Sequence, residues 1–466
     1  MASALYPGLR LRLPTPLSLG AWAAAVVLAP DLRSKILLTL PAFLVPAAMW
    51  TLAGPSRWVI GFFAAAWLLP PLPIPLGNSG PHLCLVLAAV GSFTGLLWSS
   101  SWRIPASPLN AALLTLFVVL LASIGSAAID SGAAVAAQSL ARVALFGVAV
   151  YIFFFTAHGP GSGIDTFRAI RSIYWFAALS ALFACLDFYF QFPAPAGYGS
   201  QFIWLDSGIF RRAQGLFYEA STLGNFCAFF LILIAVCLTR GRADSPVSRK
   251  ALFLGGGLFF TALVLSYSRA SLINVAVALC VLAWRNRDRL RPGRLVLLIA
   301  GGVAAGAFVV WRVFPVFAET YWLRMAASVD YLLSGNERLF SGRIASWNIL
   351  AEWLAAHPWQ AFVGIGYKTL PYTNYLGAPV VGDNMYLTLL VETGIAGLAT
   401  LVWLNVAILR AAAQASRRPD PKSAFCGTWV LCFWAGQTVQ MLSGDLLTYW
   451  RVLPAYLFVL ALAVRP

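Results

Sequence analysis

The sequence predicts an all-α polytopic membrane protein with about 12–14 transmembrane helices and one large outward-facing loop carrying amphipathic helices. Three observations predict it. Of 466 residues, 60% are hydrophobic and only 10% charged, against about 25% charged in an ordinary soluble domain. Apolar runs near the ~20 residues that cross hydrocarbon recur along most of the chain. They do not alternate apolar with polar residues, so they are not β-barrel strands. Finally, basic residues gather in alternate linkers, as they do in cytoplasmic loops.

The apolar runs fall near 17–30, 36–53, 58–76, 83–100, 108–129, 134–157, 172–191, 221–239, 251–267, 270–284, 295–314, 385–409, 424–442 and 447–464. The first and tenth are short and the third is rich in proline, which sets the range at about 12–14. Arg10 and Arg12 ahead of the first run resemble a signal peptide. The spans that follow favour an uncleaved first helix. Linkers 240–250 (Arg240, Arg242, Arg249, Lys250), 285–294 (Arg285, Arg287, Arg289, Arg291, Arg294) and 410–422 (Arg410, Arg417, Arg418, Lys422) all follow even-numbered spans, as do Arg57 and Arg103. Both termini are therefore expected in the cytoplasm, with loops 192–220 and 315–384 outside. Four regions result. Residues 1–191 form N-terminal helices and 192–314 form central helices with Arg-bearing outer loops. Residues 315–384 form the large outer loop, and 385–466 form C-terminal helices.

The positive-inside pattern accounts for most of the net charge of +16, so a nucleic-acid partner is not required. Nearly every cation is Arg; lysine occurs only at Lys35, Lys250, Lys368 and Lys422. Arg forks match phosphate oxygens in bidentate geometry, although a GC-rich coding bias produces the same excess. Cys84, Cys185, Cys227, Cys237, Cys280, Cys426 and Cys432 lie in or beside apolar runs, as small buried hydrophobes do. His82, His158 and His357 are far apart and have no metal-ligand spacing. No metal or other cofactor is expected.

Outer loop 315–384 is long for a helix connection, which points to a function. Within it Ile344, Trp347, Leu350 and Leu354 repeat at helix spacing. Ser341 is a suitable N-cap, and His357-Pro358 with Gly364 to Gly366 ends the helix. Such a helix suits the outer membrane surface. Trp204, Trp311, Trp322, Trp347, Trp353 and Trp359 fit an interfacial belt.

Three Arg-bearing elements share the outer side: Arg211-Arg212, Ser268-Arg269 and Ser341-Gly342-Arg343. A lone Arg at an apolar boundary reads as a cation snorkelling to the interface. Three on one side favour an anionic ligand at the membrane surface, such as a lipid pyrophosphate. The acidic candidate is Asp383, just before a span, either as an N-cap or as a general base. Glu219, Asn384, Tyr386 and Glu392 are secondary candidates. Glu392 lies about two turns into the span, where a carboxylate needs a partner. Asp206, Asp330, Glu337 and Asp445 read as solvated or paired.

These residues, in order, resemble the O-antigen ligase and O-antigen polymerase superfamily. The motifs are Arg212-x-x-Gly215, Ser268-Arg269-Ala270, Ser341-Gly342-Arg343 with Trp347, His357-Pro358 with Gly364-x-Gly366, and Asp383-Asn384-x-Tyr386-Leu387 running to Glu392-x-Gly394. The resemblance spans about residues 200–400. It implies a GT-C-like glycosyltransferase of the bacterial inner membrane with its site on the periplasmic side. It implies an undecaprenyl-diphosphate-linked oligosaccharide as donor and a glycan or lipid-linked acceptor, within membrane lipids and without metal. It also implies that Arg211, Arg212, Arg269 and Arg343 hold the diphosphate. Ligases of this family have His-Asn where this chain has Asp383-Asn384. That departure favours a polymerase of surface-polysaccharide repeat units, with Asp383 as base, over a ligase that moves polymer to lipid A core. A lipid-linked oligosaccharide flippase is the alternative of another class. No internal repeat and no paired broken spans are evident in the sequence, and transporters commonly have both.

Overall fold

The structure is a computed structural model. It describes residues 16–31, 34–35, 38–40, 49, 54, 56–72, 81–193, 198–205, 208–240, 245–287, 301, 304, 307–308, 311–312, 315–334, 343–373, 376–377 and 379–465. The chain divides into two compact units, Met1–Arg57 and Trp58–Pro466. The first contains the apolar helix α1 (Pro16–Leu28), beside which Trp22 Nε1 donates to Leu38 O at 2.7 Å.

In the second unit the apolar runs become helices with bounds close to those predicted. They are α2 (Arg57–Leu68), α3 (Leu83–Leu97), α4 (Pro108–Ala122), α5 (Ile124–Ser131), α6 (Ala133–His158), α7 (Thr166–Phe190), α8 (Ala220–Leu238), α9 (Arg249–Leu265) and α10 (Arg269–Arg285). The long loop 315–384 contributes α11 (Pro315–Leu333), α12 (Arg343–Ala356) and α13 (Gln360–Val363), and the C-terminal part α14 (Met385–Ala415), α15 (Pro421–Gln440) and α16 (Leu453–Val464). Among the described residues, five segments are long and apolar enough to cross a membrane: 108–131, 133–158, 166–190, 220–238 and 385–415. The helices 57–68, 83–97 and 453–464 are apolar but shorter. The protein is an all-α polytopic membrane protein. The predicted runs 36–53 and 295–314 lie largely outside the described residues. The run predicted to reach residue 76 stops as a helix at Leu68, because Pro70 and Pro71 follow and proline cannot continue a helix.

Local chemistry sets the helix starts. Ser107 caps α4, with Pro108 in its first turn. Asp165 caps α7, Ser248 caps α9, and Asp420 with Pro421 opens α15. Small polar side chains satisfy first-turn N–H groups, and proline has none to leave unsatisfied.

The core lies where α8, α10, α14, α15 and α16 pack together. Phe229 on α8 stacks on Trp429 of α15 at 4.2 Å between centroids. A fully buried amide network runs through the same junction. Asn225 Nδ2 donates to Gln437 Oε1 (2.6 Å) and Gln440 Oε1 (2.8 Å). Asn274 Nδ2 donates to the same two oxygens, and Gln440 Nε2 donates to Ser271 Oγ at 3.1 Å. Where lipid supplies no hydrophobic drive between helices, such bonds hold them in register.

The bundle has two chemically distinct ends. At one, Arg240 bonds Pro421 O, Arg285 bonds Ser416, and Arg418 bonds the carbonyls of Ala463, Val464 and Arg465. The other end carries Asp187, Glu219, Asp383 and Asp445 together with Arg212, Arg269 and Arg343.

Three features differ from the sequence expectation. Loop 192–220 contains a β-hairpin, Phe202–Leu205 (β1) against Gly208–Arg211 (β2), with Phe202 opposite Arg211. Helix α12 turns Leu350 into a small buried cluster with Ile365, Leu370, Val380 and Val391, so its apolar face packs on protein as well as lying at a surface. Ile349 on α12 and, just beyond it, Trp359, Phe362 and Val363 are exposed. The proposed cap Ser341 lies outside the described residues.

The third difference is that two spans are interrupted. A turn at Ser123 separates α4 from α5, and Gly394 breaks α14 with φ 68° and ψ −170°. Segment 364–373 fills both breaks. Ile365 N and Gly366 N donate to Val391 O (3.1 Å) and Glu392 O (2.8 Å), carbonyls that the kink frees. Tyr367 N donates to Ser123 Oγ at 3.2 Å, and Ser131 bonds Thr373 at 3.0 Å. Non-helical backbone persists at membrane depth only where protein or water satisfies it. Gly394 must be glycine for two reasons: its φ is positive, and a Cβ there would collide with Phe362 O.

Candidate active site

The site forms at the end that carries these carboxylates and arginines, where four helix starts and one helix end meet. Arg269 opens α10, Arg343 opens α12, Asp383 precedes α14 and Glu219 precedes α8. Asp445 follows the end of α15. Arg343 Nε donates to Asp383 Oδ2 at 3.0 Å across 40 residues of sequence. Both side chains keep solvent access, at 30% and 45%. No described group bonds Asp383 Oδ1, so one carboxylate oxygen is held while the other is open.

The cap of α14 is Asn384, not Asp383. Asn384 Oδ1 accepts from Tyr386 N (3.1 Å) and Leu387 N (3.2 Å). This corrects the N-cap alternative for Asp383 and separates two roles that adjacent residues had left confounded. Tyr386 is committed to packing: its hydroxyl donates to Thr438 O at 2.9 Å and so ties α14 to α15.

The other cations divide. Arg212 Nε donates to Ser266 O at 2.9 Å, on the turn that presents Arg269. In that turn Tyr267 has φ 54°, a strained conformation for a bulky residue. Burial pulls the Arg212 guanidinium below its usual range; Tyr449 and Glu219 oppose that, and Arg343 adds to it. Arg269 lies within electrostatic reach of Arg343 and Tyr321. Arg212, Arg269 and Arg343 therefore share one positive field. Arg211 does not join them. Its Nη2 pairs with Asp187 at 3.1 and 3.2 Å, beside a cavity of about 390 Å³ between α7 and the hairpin.

Glu219 is partly buried, and Ser221 Oγ donates to its Oε2 at 2.9 Å. Burial raises its carboxyl above the usual range; Lys368 opposes the shift, while Asp445 and Asp383 reinforce it. Glu392 is fully buried. Its Oε1 accepts from Leu370 N at 3.3 Å, so it anchors segment 364–373 and does not face the mouth. Asp206 and Glu337 lie outside the described residues. Among the described residues, no three His, Cys, Asp or Glu side chains gather as a metal-binding group.

Residues 254–402 match the family model described as O-antigen ligase. The match supports a relation of this part of the chain to the O-antigen ligase and polymerase superfamily. A comparison with curated proteins gave no match. The matched family supports glycosyl transfer of the O-antigen ligase and polymerase type, and implies lipid-linked glycan substrates at a membrane. The O-antigen ligase match contains Arg269, Arg343, Asp383 and Glu392 but not Arg212, Glu219 or Asp445, which the fold brings to it from outside.

One part of the candidate site was not legible in the sequence. Lys368 pairs with Asp445 across 77 residues, both side chains being nearly buried (14% and 10% exposed). Burial alone would lower the Lys368 ammonium, but Asp445 and Glu392 hold it above its usual range and therefore charged. Its backbone φ of 58° is a local strain of the kind that functional sites retain. The only sequence signals are a lysine in an Arg-dominated chain and the preceding Gly364-x-Gly366. Removing one partner of a buried pair strands the other charge, which costs about 3–5 kcal/mol. Lys368→Met is expected to lower the unfolding temperature in detergent strongly. Adding Asp445→Asn should recover much of that loss.

Proposed function

We propose that this protein polymerises surface-polysaccharide repeat units, taking glycan from an undecaprenyl-diphosphate-linked donor on the outer face of the bacterial inner membrane and passing it to a sugar hydroxyl with inversion. The observation that carries the reading is the Arg343–Asp383 pair at an open mouth, inside the field of Arg212 and Arg269. Asp383 accepts the acceptor hydroxyl's proton through Oδ1 while Arg343 holds Oδ2. As the anomeric C–O bond to the diphosphate breaks, negative charge grows on the leaving phosphate. Preorganised cations stabilise that charge, commonly the largest catalytic term. The Arg groups supply the neutralisation that a metal ion supplies in other enzymes of phosphate chemistry.

Asp383 in place of the ligase histidine favours polymerase over ligase. The flippase reading weakens because both interrupted spans are filled by the protein's own segment 364–373, whereas transporter breaks line a substrate site. The deciding assay supplies purified carrier-linked repeat unit to the reconstituted protein. A polymerase yields a ladder of carrier-linked glycan. Transfer to added lipid A core without chain growth would make it a ligase, and unchanged donor carried across the bilayer would make it a flippase.

The orientation is tested separately. A cysteine at Ser334, on the outer loop, should react with a membrane-impermeant thiol reagent added outside, and one at Arg287 should not. The opposite pattern would place the site on the wrong face for this donor.

A further inference from the structure

The basic end of the bundle carries a second cavity, far from the cluster around Asp383. It encloses about 410 Å³ between α4, α14 and the end of α16, and Arg410, Gln414, Arg418, His158, Trp403 and Leu109 are among its lining residues. No carboxylate lines it, and no described acidic side chain pairs with Arg410 or Arg418. Arg418 is held in place by carbonyls at the end of α16, with Arg465 O at 2.7 Å. His158 is held against Asn110 Oδ1 at 3.2 Å. The cavity thus has two cations at its rim, Arg418 held by backbone carbonyls and Arg410 exposed, with no carboxylate in its lining.

Its wall continues as a lipid-facing stripe. On α14, Ile395, Val402, Trp403 and Val406 are exposed at helical spacing and lead to the exposed Arg410. On the adjoining α4, Leu114, Val118 and Leu121 are likewise exposed. From Arg410 back to Val402 is eight residues, a rise of about 12 Å at 1.5 Å per residue. One leaflet of hydrocarbon is about 15 Å thick, half of ~30 Å. The apolar length therefore matches one acyl chain, and the cations stand where its head group would be.

We propose that this cavity binds an anionic glycerophospholipid, with the head-group phosphate between Arg410 and Arg418 and an acyl chain along Trp403 and Val406. Arginine forks suit phosphate oxygens, and uncompensated cations at a membrane surface select anionic lipid over zwitterionic lipid. The inference does not rest on the glycosyltransferase reading.

The test is native mass spectrometry of the full-length protein in mild detergent with phosphatidylglycerol or phosphatidylcholine of identical acyl chains. Wild type should retain phosphatidylglycerol about tenfold better, a difference of ~1.4 kcal/mol. Arg410→Gln removes one cation, and Gln414→Glu sets a carboxylate one turn away from it. Both changes are exposed, so unfolding temperatures should not move, and each variant should retain the two lipids equally. Equal retention by wild type, or an undiminished preference in both variants, would overturn the proposal. So would complete displacement of the lipid by millimolar inorganic phosphate, which would leave the acyl chain no role.

Discussion

Asp383→Asn is expected to lower glycan transfer by roughly 10²–10⁴-fold, the range for loss of a general base, while leaving expression and membrane insertion unchanged. The structure sharpens this test because Asn384, not Asp383, caps α14. The helix start is therefore untouched by the substitution. An asparagine also keeps an oxygen for the Arg343 Nε bond now made to Oδ2, so the neighbouring cation stays in place. Only the capacity to take a proton is lost. Asp383→His restores a proton acceptor and recreates the His-Asn pair of the ligases. It should recover part of the activity, with a pH profile that falls off below the imidazole range near 6.5. Steady-state turnover of carrier-linked donor across pH 5–8 measures both effects. Wild-type turnover by the Asn variant would remove Asp383 from the chemistry and leave Glu219 as the next carboxylate at the mouth.

Arg269→Ala should reduce turnover by about 10²-fold or more, as for removal of one electrostatic donor to developing charge. Arg343→Ala should cost at least as much, because it removes the diphosphate's cation and Asp383's partner together. The two effects should not add, since Arg269 and Arg343 act on each other and residues in one network couple. Arg→Lys separates positioning from charge: a point charge cannot reproduce the fork, so both Lys variants should stay well below wild type. Arg211→Ala is the internal control. Arg211 is committed to nearly buried Asp187, so its loss should lower stability while leaving the turnover of folded protein near wild type. Full activity of Arg269→Lys and Arg343→Lys would reduce both groups to interface anchors.

The helix bounds were legible because an apolar run of spanning length carries its own signal. The run predicted at 221–239 is the helix Ala220–Leu238, and that at 134–157 is Ala133–His158. Arg269, Arg343 and Asp383 stood out as candidates because charge beside a membrane span is costly and therefore conspicuous. The Lys368–Asp445 pair was not, since nothing local in either residue encodes a partner 77 positions away. Nor was the difference between Arg211 and Arg212. It depends on a hairpin of four-residue strands, too short to declare itself in an otherwise irregular stretch.

The amino-acid sequence by itself determined the solvent in which this chain folds, the position of most helices and the type of charge gathered at each end. These follow from transfer energies of single residues and from their spacing. Tertiary structure alone decided which of two adjacent residues caps α14, which of two adjacent arginines reaches the site, and what fills the breaks at Ser123 and Gly394. Each of those outcomes turns on where a backbone group or a guanidinium finds its partner. The cap's partners, Tyr386 N and Leu387 N, are local, but the other partners lie tens to hundreds of residues away, as with Tyr367 and Ser123, separated by 244 positions.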